Sequence, residues 1–372
     1  MKGPGLLRVA RNDETPIYRV IARKPATEAI QNAPRLYNPA NRPIPRFPVE
    51  APAIFFMKGV IALLKPASPA VKAPRSASAR RQNVYGYAFI MPWLIGLFAF
   101  TLIPMVFSAI LSLCKWDIVT GLQTIEFVGL RNFQKLFADR KFWKALEVTF
   151  KFCLVSIPFY QIASLAVALL LNMRIRLMKT FRMVYFLPSV IPVIASSMIW
   201  SQIFGESGLL NQALALFGIK GPAWLNNPHT SLYALIIMGV WGIGNTMIIY
   251  LSGLQGVGEE IYEAAQIDGA KAGQRFFRIT LPLISPTVFF NVVMAIIGSF
   301  QYFTQAFVMT EGGPLNSTLF YNLYLYVKAY KDYQMGYAAA MAWVMFIIIM
   351  TLTLFVVKSS SFWVFYQNDD KI

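Results

Sequence analysis

Polar and aromatic side chains that could contact a solute by hydrogen bonds and ring faces lie within otherwise apolar stretches of the chain. Trp241 and Asn245 are four residues apart in one stretch, and Gln301 and Gln305 repeat that spacing in another, which also contains Tyr302. Residues four apart share one face of a helix, and polar groups inside a membrane helix are costly unless they face protein or a water-filled cavity. We therefore predict a substrate pathway at these five residues, with helix–helix attachment by the same pairs as the alternative.

Little in the sequence favours catalysis or metal binding. His229 is the single histidine, and no group of His, Cys, Asp or Glu has metal-ligand spacing. The sequence contains neither a GxxxxGK[ST] phosphate loop nor an evident nucleophile–base pair. Cys114 and Cys153 could form a disulfide, although Cys153, within an apolar run, is more simply explained as a small core residue. We expect no enzymatic activity, no metal and no cofactor in this chain.

A polar segment, residues 258–282, separates two long apolar runs and carries four acidic and three basic residues. Glu259 and Glu260 favour a helix start, and Gly269 fits the left-handed position that follows a helix end. A second short helix should follow and end at Pro282, because proline lacks the amide donor that a helix interior needs. Two short helices bent at a glycine could transmit force from a soluble partner to the flanking spans; an ordinary connecting loop is the alternative.

The composition indicates a membrane protein. Hydrophobic residues make up 56% of the 372-residue chain and charged residues 14%, against roughly 25% charged in a soluble domain. The apolar residues gather in runs of about 20 or more, the length that a transmembrane helix needs. These runs cover residues 85–113, 148–171, 183–204, 232–254, 286–309 and 337–357. We predict an all-α polytopic membrane protein with six transmembrane helices and a transmembrane domain over residues 84–358.

The residues before the first span form a basic extension. Residues 1–83 contain 15 Lys and Arg against four Asp and Glu, and they are rich in Pro, Ala and Arg. This composition predicts disorder, and Met57 is a candidate for the true start. Nucleic-acid binding would be one explanation of the charge, but a basic flank held at the cytoplasmic membrane surface is the better one. At the other end, we predict a short tail over residues 359–372.

Charge also orients the spans. The linker over residues 172–182 contains four basic residues and no acid, which places it in the cytoplasm. The linker over residues 205–230 has Lys220 as its only base and should lie outside. The polar segment and both termini then fall on the cytoplasmic side. The linker over residues 115–145 disagrees, because it is basic yet placed outside; an amphipathic helix over residues 130–146 that lies at the membrane interface would reconcile it.

Within the polar segment, several residues have a recognisable spacing. They are Glu263, Ala264 and Ala265, then Gly269, then Ile279, and finally Leu281 and Pro282, with three, nine and one residues between the groups. This spacing resembles the EAA motif of bacterial ABC importer permeases. The run EAAQIDGA, which includes Asp268, is similar to the form in sugar-transporting members. The resemblance implies that residues 256–283 form a cytoplasmic coupling helix that docks on a separate ATP-hydrolysing subunit.

Further stretches extend the resemblance to about residues 85–358. They are FVGLRNFQKLF at 127–137, GGPLNST at 312–318 and GYAAA at 336–340. The resemblance implies the type I ABC importer permease fold, and the Gly-Gly-Pro element points to the maltose-permease-F-like partner of a two-permease pair. The six predicted spans lack the extra N-terminal spans and large periplasmic insertion of the maltose protein. Six-span sugar and glycerol-phosphate permeases are therefore the nearer match.

The resemblance also implies a function and a set of partners. The chain would form half of the pathway of an ATP-driven sugar importer in the bacterial inner membrane. Its partners would be a second permease subunit, two ATP-binding subunits, an extracytoplasmic sugar-binding protein and membrane lipid, with no nucleic acid. Glu263 would make a polar or ionic contact with the ATPase, while Ala264, Ala265 and Gly269 would give close packing and the bend.

One alternative is an ion-coupled secondary transporter. Such proteins normally place ionisable residues within their spans, and the predicted spans carry almost none beyond Lys151. We therefore rank this alternative second. The solute itself stays open at this point, because sugars, polyols and glycerol phosphates all fit.

Overall fold

The computed structural model describes residues 77–173 and 176–365. Most of the N-terminal extension predicted over residues 1–83, including the candidate start at Met57, lies outside these residues. So does most of the predicted tail, although the last helix extends into it and ends at Trp363.

The described chain is helical almost throughout. Its α-helices are α1 (Ala77–Leu97), α2 (Ile103–Ser112), α3 (Arg131–Ala138), α4 (Arg140–Asn172), α5 (Met178–Phe186), α6 (Val193–Ile203), α7 (Leu209–Leu216), α8 (Ser231–Trp241), α9 (Gly244–Gln255), α10 (Glu259–Ile267), α11 (Ala272–Arg275), α12 (Leu281–Leu283), α13 (Ser285–Phe300), α14 (Thr304–Met309), α15 (Tyr321–Tyr326) and α16 (Met335–Trp363). Short π turns at Phe98–Leu102, Phe276–Thr280 and Val327–Lys331 and a 3₁₀ turn at Leu187–Val190 join some of them. Two short strands, β1 (Cys114–Lys115) and β2 (Glu126–Phe127), pair in antiparallel fashion.

Three continuous helices and three bent helix pairs are long and apolar enough to cross a membrane. The continuous ones are Tyr85–Ser112, Arg140–Asn172 and Met335–Trp363. The pairs are Met178–Val190 with Val193–Ile203, bent by 98°, Ser231–Trp241 with Gly244–Gln255, bent by 50°, and Ala272–Leu283 with Ser285–Phe300, bent by 66°. If each pair is one span, the described residues contain the six predicted spans, and the all-α fold is confirmed.

Two of the three bends coincide with a proline or a glycine. Ile191 precedes Pro192 and adopts the extended backbone that a following proline favours, with φ −69° and ψ 133°. The fourth span breaks at Gly242, where α8 ends. The predicted fifth span over residues 286–309 is wrong as one continuous helix, because α13 ends at Phe300 and α14 begins at Thr304.

Helix α4 lies at the centre of the described bundle. It packs against α8, α9, α13 and α15, while α16 packs against α2 and α13. One apolar cluster contains Phe142, Phe152 and Phe320. A second cluster, which includes the α4 residue Ala168, is formed around Tyr250 and contains Ile284. The two clusters bury one side of α4 along much of its length.

Cys114 and Cys153 are both buried and free. The possible disulfide between them is therefore wrong, whereas the core interpretation of Cys153 is confirmed. A buried thiol in an apolar run behaves as a small hydrophobic side chain.

The amphipathic helix predicted over residues 130–146 is two helices. Asp139 separates α3 from α4 and caps α4, because its carboxylate accepts a hydrogen bond from the Lys141 amide at 2.8 Å. Leu136 and Phe142, on either side of the break, are fully buried in the core. Part of the apolar side of this region therefore faces protein, and the prediction of a single helix over residues 130–146 is wrong. A position at the membrane interface stays a prediction.

Asp139 also binds the chain near the last span. The hydroxyl of Tyr337 donates to its carboxylate at 2.8 Å, and the hydroxyl of Tyr324 donates to the same oxygen. The Lys328 ammonium lies 5.4 Å from the centre of the Tyr324 ring. Burial alone would raise the pKa of the Asp139 carboxyl, but the two tyrosines, the Lys141 amide and the Lys328 charge hold the pKa below its ordinary value.

Candidate functional site

The first half of the polar segment is a capped helix. α10 begins at Glu259, with Glu259 and Glu260 in its first turn as predicted. Past its end, Gly269 is left-handed, with φ +77°. The Ala270 amide donates to the Ala265 carbonyl at 2.9 Å, and the Gly269 amide donates to the Gln266 carbonyl at 3.1 Å. These two bonds form a Schellman motif, so the predicted bend at Gly269 is confirmed.

The second half is irregular, and the prediction that Pro282 ends its helix is wrong. α11 leads into the π turn Phe276–Thr280, and helical backbone continues through α12 to Leu283. The proline is accommodated because it lies in the first turn of α12, directly after a π turn that interrupts the regular hydrogen-bond pattern. The 66° bend comes only at Ile284, where φ is −89° and ψ is 2°.

The motif residues divide between exposed and packed positions. Four are exposed: Glu263, Ala264, Asp268 and Gly269. Ala265 is buried, and three are half-buried: Ile279, Leu281 and Pro282. Between the two halves, the hydroxyls of Tyr262 and Thr280 lie 3.0 Å apart. One side of α10 therefore packs against the second half of the polar segment. The other side of α10 is exposed.

Two large apolar side chains lie on the outward side. Ile267 is 86% exposed and Phe277 is 68% exposed. Exposed apolar groups beside charged ones are typical of protein contact sites. Ile267 lies between the predicted motif residues, but the spacing of the motif alone did not single it out.

The polar pairs predicted to share one helix face do not do so. α8 ends at Trp241, while Asn245 lies in α9 beyond the 50° bend. Gln301 follows the end of α13, while Gln305 lies in α14. The four-residue rule fails at both places because the helix stops between the partners. Each pair instead marks a break in a membrane span.

Helix α6 contacts both Trp241 and the helix that carries Gln305. Trp241 contacts Trp200 of α6, with ring centres 6.1 Å apart, and α14, which carries Gln305, packs against α6. Asn245 and Gln301 are exposed. Among the described residues, no hydrogen bond or ring contact joins Trp241 or Asn245 directly to Gln301 or Gln305.

Tyr302 lies in the break between α13 and α14. Its ring packs against Phe152 at 4.5 Å and Phe320 at 4.8 Å between ring centres. Its hydroxyl is buried and has no hydrogen-bond partner among the described residues. The backbone carbonyl of Gln301 accepts a hydrogen bond from the Asn322 side chain at 3.2 Å. This break therefore combines a partly buried aromatic ring with the exposed Gln301 side chain, which can donate and accept hydrogen bonds, whereas the Tyr302 hydroxyl is closed off from a solute.

A separate polar contact holds helices together. The hydroxyl of Tyr250 in α9 donates to Gln161 Oε1 of α4 at 2.6 Å, and Gln161 Nε2 donates to the Asn291 carbonyl of α13 at 3.3 Å. These residues bridge three helices within the bundle. Helix–helix attachment, the alternative for the candidate pairs, is thus seen at Gln161.

The stretch GGPLNST forms a folded loop. Ser317 Oγ lies 2.8 Å from Ser231 Oγ, and Thr318 is fully buried. Leu315 protrudes from this loop, is 84% exposed and has a left-handed backbone, with φ +51°. His229 is exposed, and its amide donates to Asn227 Oδ1 at 2.9 Å. Within residues 77–173 and 176–365, no group of three or more His, Cys, Asp or Glu could hold a metal ion.

Three relatives found by comparison with known proteins are all described as transport permeases. The probable ABC transporter permease protein YesP of Bacillus subtilis (strain 168) is 42% identical over 302 residues, which are 80% of this chain and 97% of that protein. The lactose transport system permease protein LacF of Rhizobium radiobacter is 34% identical, over 75% of this chain and 95% of that protein. The trehalose/maltose transport system permease protein MalF of Thermococcus litoralis is 32% identical, over 76% and 95%.

The fold has a solved counterpart. A chain of a bacterial alginate ABC transporter, crystallised in complex with alginate pentasaccharide-bound periplasmic protein, superposes with a TM-score of 0.68 at 22% identity. The match covers 77% of this chain and 97% of that chain. This likeness confirms the predicted type I ABC importer permease fold.

The family described as "Binding-protein-dependent transport system inner membrane component" matches residues 161–364. The matched region runs from the middle of α4 to the end of α16 and includes the polar segment and both broken spans that carry the candidate pairs. The alternative of an ion-coupled secondary transporter is therefore wrong. This chain belongs to the family of inner membrane components of binding-protein-dependent transport systems, and it is a multi-pass permease subunit of an ABC importer.

Proposed function

We propose that this chain imports a carbohydrate and is driven by separate ATP-binding subunits that dock on the polar segment. The observation that carries the proposal is the geometry of that segment. α10 and its left-handed Gly269 form a short, capped unit between two spans. Its outward side presents Glu263 together with Ile267. A soluble subunit that binds this unit tightly can move both adjoining spans.

The roles of the individual motif residues follow from their positions. Glu263 and Asp268 are exposed and offer charged contacts to the ATPase, while exposed Ala264 lets the partner backbone approach closely. Buried Ala265 and the half-buried Ile279, Leu281 and Pro282 hold the shape of the segment. Hydrolysis of ATP takes place on the partner, and this chain supplies no catalytic residue.

A carbohydrate is the solute that the candidate pathway fits best. The broken spans offer amide groups at Asn245, Gln301 and Gln305 and aromatic rings at Trp241 and Tyr302. Such groups bind uncharged, hydroxyl-rich molecules by hydrogen bonds and ring contacts. Names of relatives support this class, since two of them are lactose and trehalose/maltose permeases.

The partners of the complex follow from the same reasoning. The first span has only 6% of its apolar window buried within the described residues, which leaves an apolar surface that lipid and a second permease subunit would cover. The related structure was crystallised with an alginate pentasaccharide-bound periplasmic protein, which supports an extracytoplasmic receptor here. We place the chain in a bacterial inner membrane with both termini and the polar segment in the cytoplasm.

Uptake by the reconstituted complex tests the proposal. Proteoliposomes that contain both permeases, the ATPase and the receptor should take up radiolabelled lactose or maltose only with ATP on the ATPase side. Glu263→Lys should abolish this uptake and leave insertion intact, whereas Gln266→Lys, an added charge at a neighbouring exposed position, should retain most of it. Uptake driven by an ion gradient without ATP would contradict the proposal, and so would full activity of Glu263→Lys.

A further inference from the structure

The carboxyl end of the last span meets the bend that follows the polar segment. α16 ends at Trp363, and Val364 is extended, with φ −94° and ψ 120°. The Phe365 amide donates to Ser285 Oγ at 2.8 Å. The same hydroxyl donates to the Pro282 carbonyl at 2.6 Å. One side chain thus joins the end of the polar segment, the first turn of α13 and the chain beyond α16.

The Ser285 side of this junction is buried. Ser285 is 5% exposed, and Ile284, at the bend itself, is almost fully buried. Val364 is also buried, and the Trp363 ring packs against Phe289 of α13 with ring centres 6.1 Å apart. The Ser285 side of the junction is shielded from water, whereas Phe365 is 54% exposed. Loss of the Ser285 hydroxyl would leave the Pro282 carbonyl and the Phe365 amide without this partner.

We propose that Ser285 is a positioning residue that makes the polar segment and the carboxyl end of the last span move together. This inference rests on the proposed function, in which an ATP-binding subunit displaces the polar segment. Such a displacement reaches α13 through the covalent bend at Ile284. It reaches α16 through the packing of α13 on α16, which includes the Trp363–Phe289 contact. The Ser285 hydroxyl adds a directional link between the bend and the chain just beyond α16.

Two independent pairs of variants isolate the hydrogen bonds. Ser285→Ala removes the hydroxyl, and Ser285→Thr keeps it. Phe365→Pro removes the amide donor together with the ring, and Val364 already has the extended backbone that a residue before proline adopts. Phe365→Ala is its control, because it removes the ring and keeps the amide. If Ser285→Ala fails to fold, the pair at Phe365 still decides the question.

The measurement is the distance between nitroxide labels at Ala264 and Ser361, both exposed, by pulsed electron paramagnetic resonance on the whole complex. EDTA is present so that ATP binds without being hydrolysed. In the wild type, Ser285→Thr and Phe365→Ala, this distance should be the same whether or not ATP is added. In Ser285→Ala and Phe365→Pro, loss of the hydrogen bond between residues 285 and 365 should raise the detached population by about tenfold. The distance distribution of these two variants should then contain a second, broader peak.

A single narrow distance in Ser285→Ala and Phe365→Pro would overturn the inference, and so would a wild-type distance that changes with ATP. Failure of the proposed function would look different. In that case the ATP-binding subunits would not co-purify with the permease. The ATP-free distance distributions of the four variants would still report on the Ser285 junction.

Discussion

At the scale of single residues, Asp139 shows how one carboxylate organises one end of the bundle. It caps α4 and accepts hydrogen bonds from Tyr324 and Tyr337, which belong to the chain around the last span. Charge-assisted hydrogen bonds of this kind are about twice as strong as neutral ones. The carboxylate therefore fixes the second span against the segment that leads into the sixth.

We predict that Asp139→Asn destabilises the folded protein in a pH-dependent way. The folded-state pKa of Asp139 lies below its ordinary value. Its charge therefore stabilises the fold above the unfolded pKa, near 4, and this contribution is lost as pH falls through the folded pKa. The melting temperature of the wild type in detergent should exceed that of the variant at neutral pH, and the difference should shrink below about pH 4.

The matched control is Asp332→Asn. Asp332 pairs with Lys328 at 2.8 Å, but the Asp332 side chain is 38% exposed, and exposed ion pairs contribute about 1 kcal/mol or less. Its melting temperature should stay close to that of the wild type. A pH-independent loss in Asp139→Asn would show that shape rather than charge matters there.

At the scale of elements, the polar segment depends on the left-handed backbone of Gly269. An added Cβ at Gly269 would meet nothing within 4 Å, so φ of +77° alone restricts this position. Asn adopts this conformation readily, whereas a β-branched residue costs at least 1–2 kcal/mol, by the order of magnitude for left-handed backbone.

We therefore predict that Gly269→Val loosens the polar segment and that Gly269→Asn does not. Limited trypsin digestion at the exposed Lys271 reports the opening directly. Cleavage in Gly269→Val should be about tenfold faster than in the wild type, and within about twofold in Gly269→Asn. Equal rates in all three proteins would contradict the structural role of this bend.

The two kinds of polar residue within the spans should respond differently to substitution. Gln301 is exposed at a helix break, so Gln301→Leu should raise the KM for uptake by about two- to tenfold, the range of one hydrogen bond, with an unchanged melting temperature. Gln161 bridges α4 to α9 and α13, so Gln161→Leu should lower the melting temperature instead. Identical profiles for the two variants would refute the distinction.

The sequence predicted the positions of the spans better than the places where their helices break. Hydrophobic run length located the three continuous spans and the three bent pairs that can each form one span, because burial in a bilayer imposes one physical requirement on every residue of a run. It did not locate the helix breaks. Pro282 lies inside helical backbone, while Gly242 and Ile284 mark bends. Proline and glycine are tolerated within membrane helices. Whether a given proline or glycine bends its helix therefore depends on how the neighbouring helices pack against it.

The candidate site was predictable only where a motif restricts the backbone. The left-handed Gly269 followed from helix-capping rules. The substrate pathway was placed by four-residue spacing, and that rule fails where α8 and α13 end. The exposed Ile267 and the Ser285 junction with Phe365 depend on tertiary packing, which local sequence patterns do not encode.

At the scale of the whole molecule, the described residues form a helical bundle from which the polar segment projects. α4 packs at the centre and the first span lies at the edge. The polar segment projects between the fourth and fifth spans, whereas the loop that carries Leu315 follows the fifth span. If the fifth span crosses the membrane once, these two exposed sites lie on opposite sides of it.

Photo-crosslinking tests the central claim most directly. A photoreactive amino acid is placed at exposed Ala264, and for comparison at exposed Leu315, in the complete complex in native membranes. The account predicts that position 264 crosslinks to the ATP-binding subunit and that position 315 does not. Crosslinks to that subunit from position 315 alone, or from neither position in a complex that still imports its solute, would contradict it.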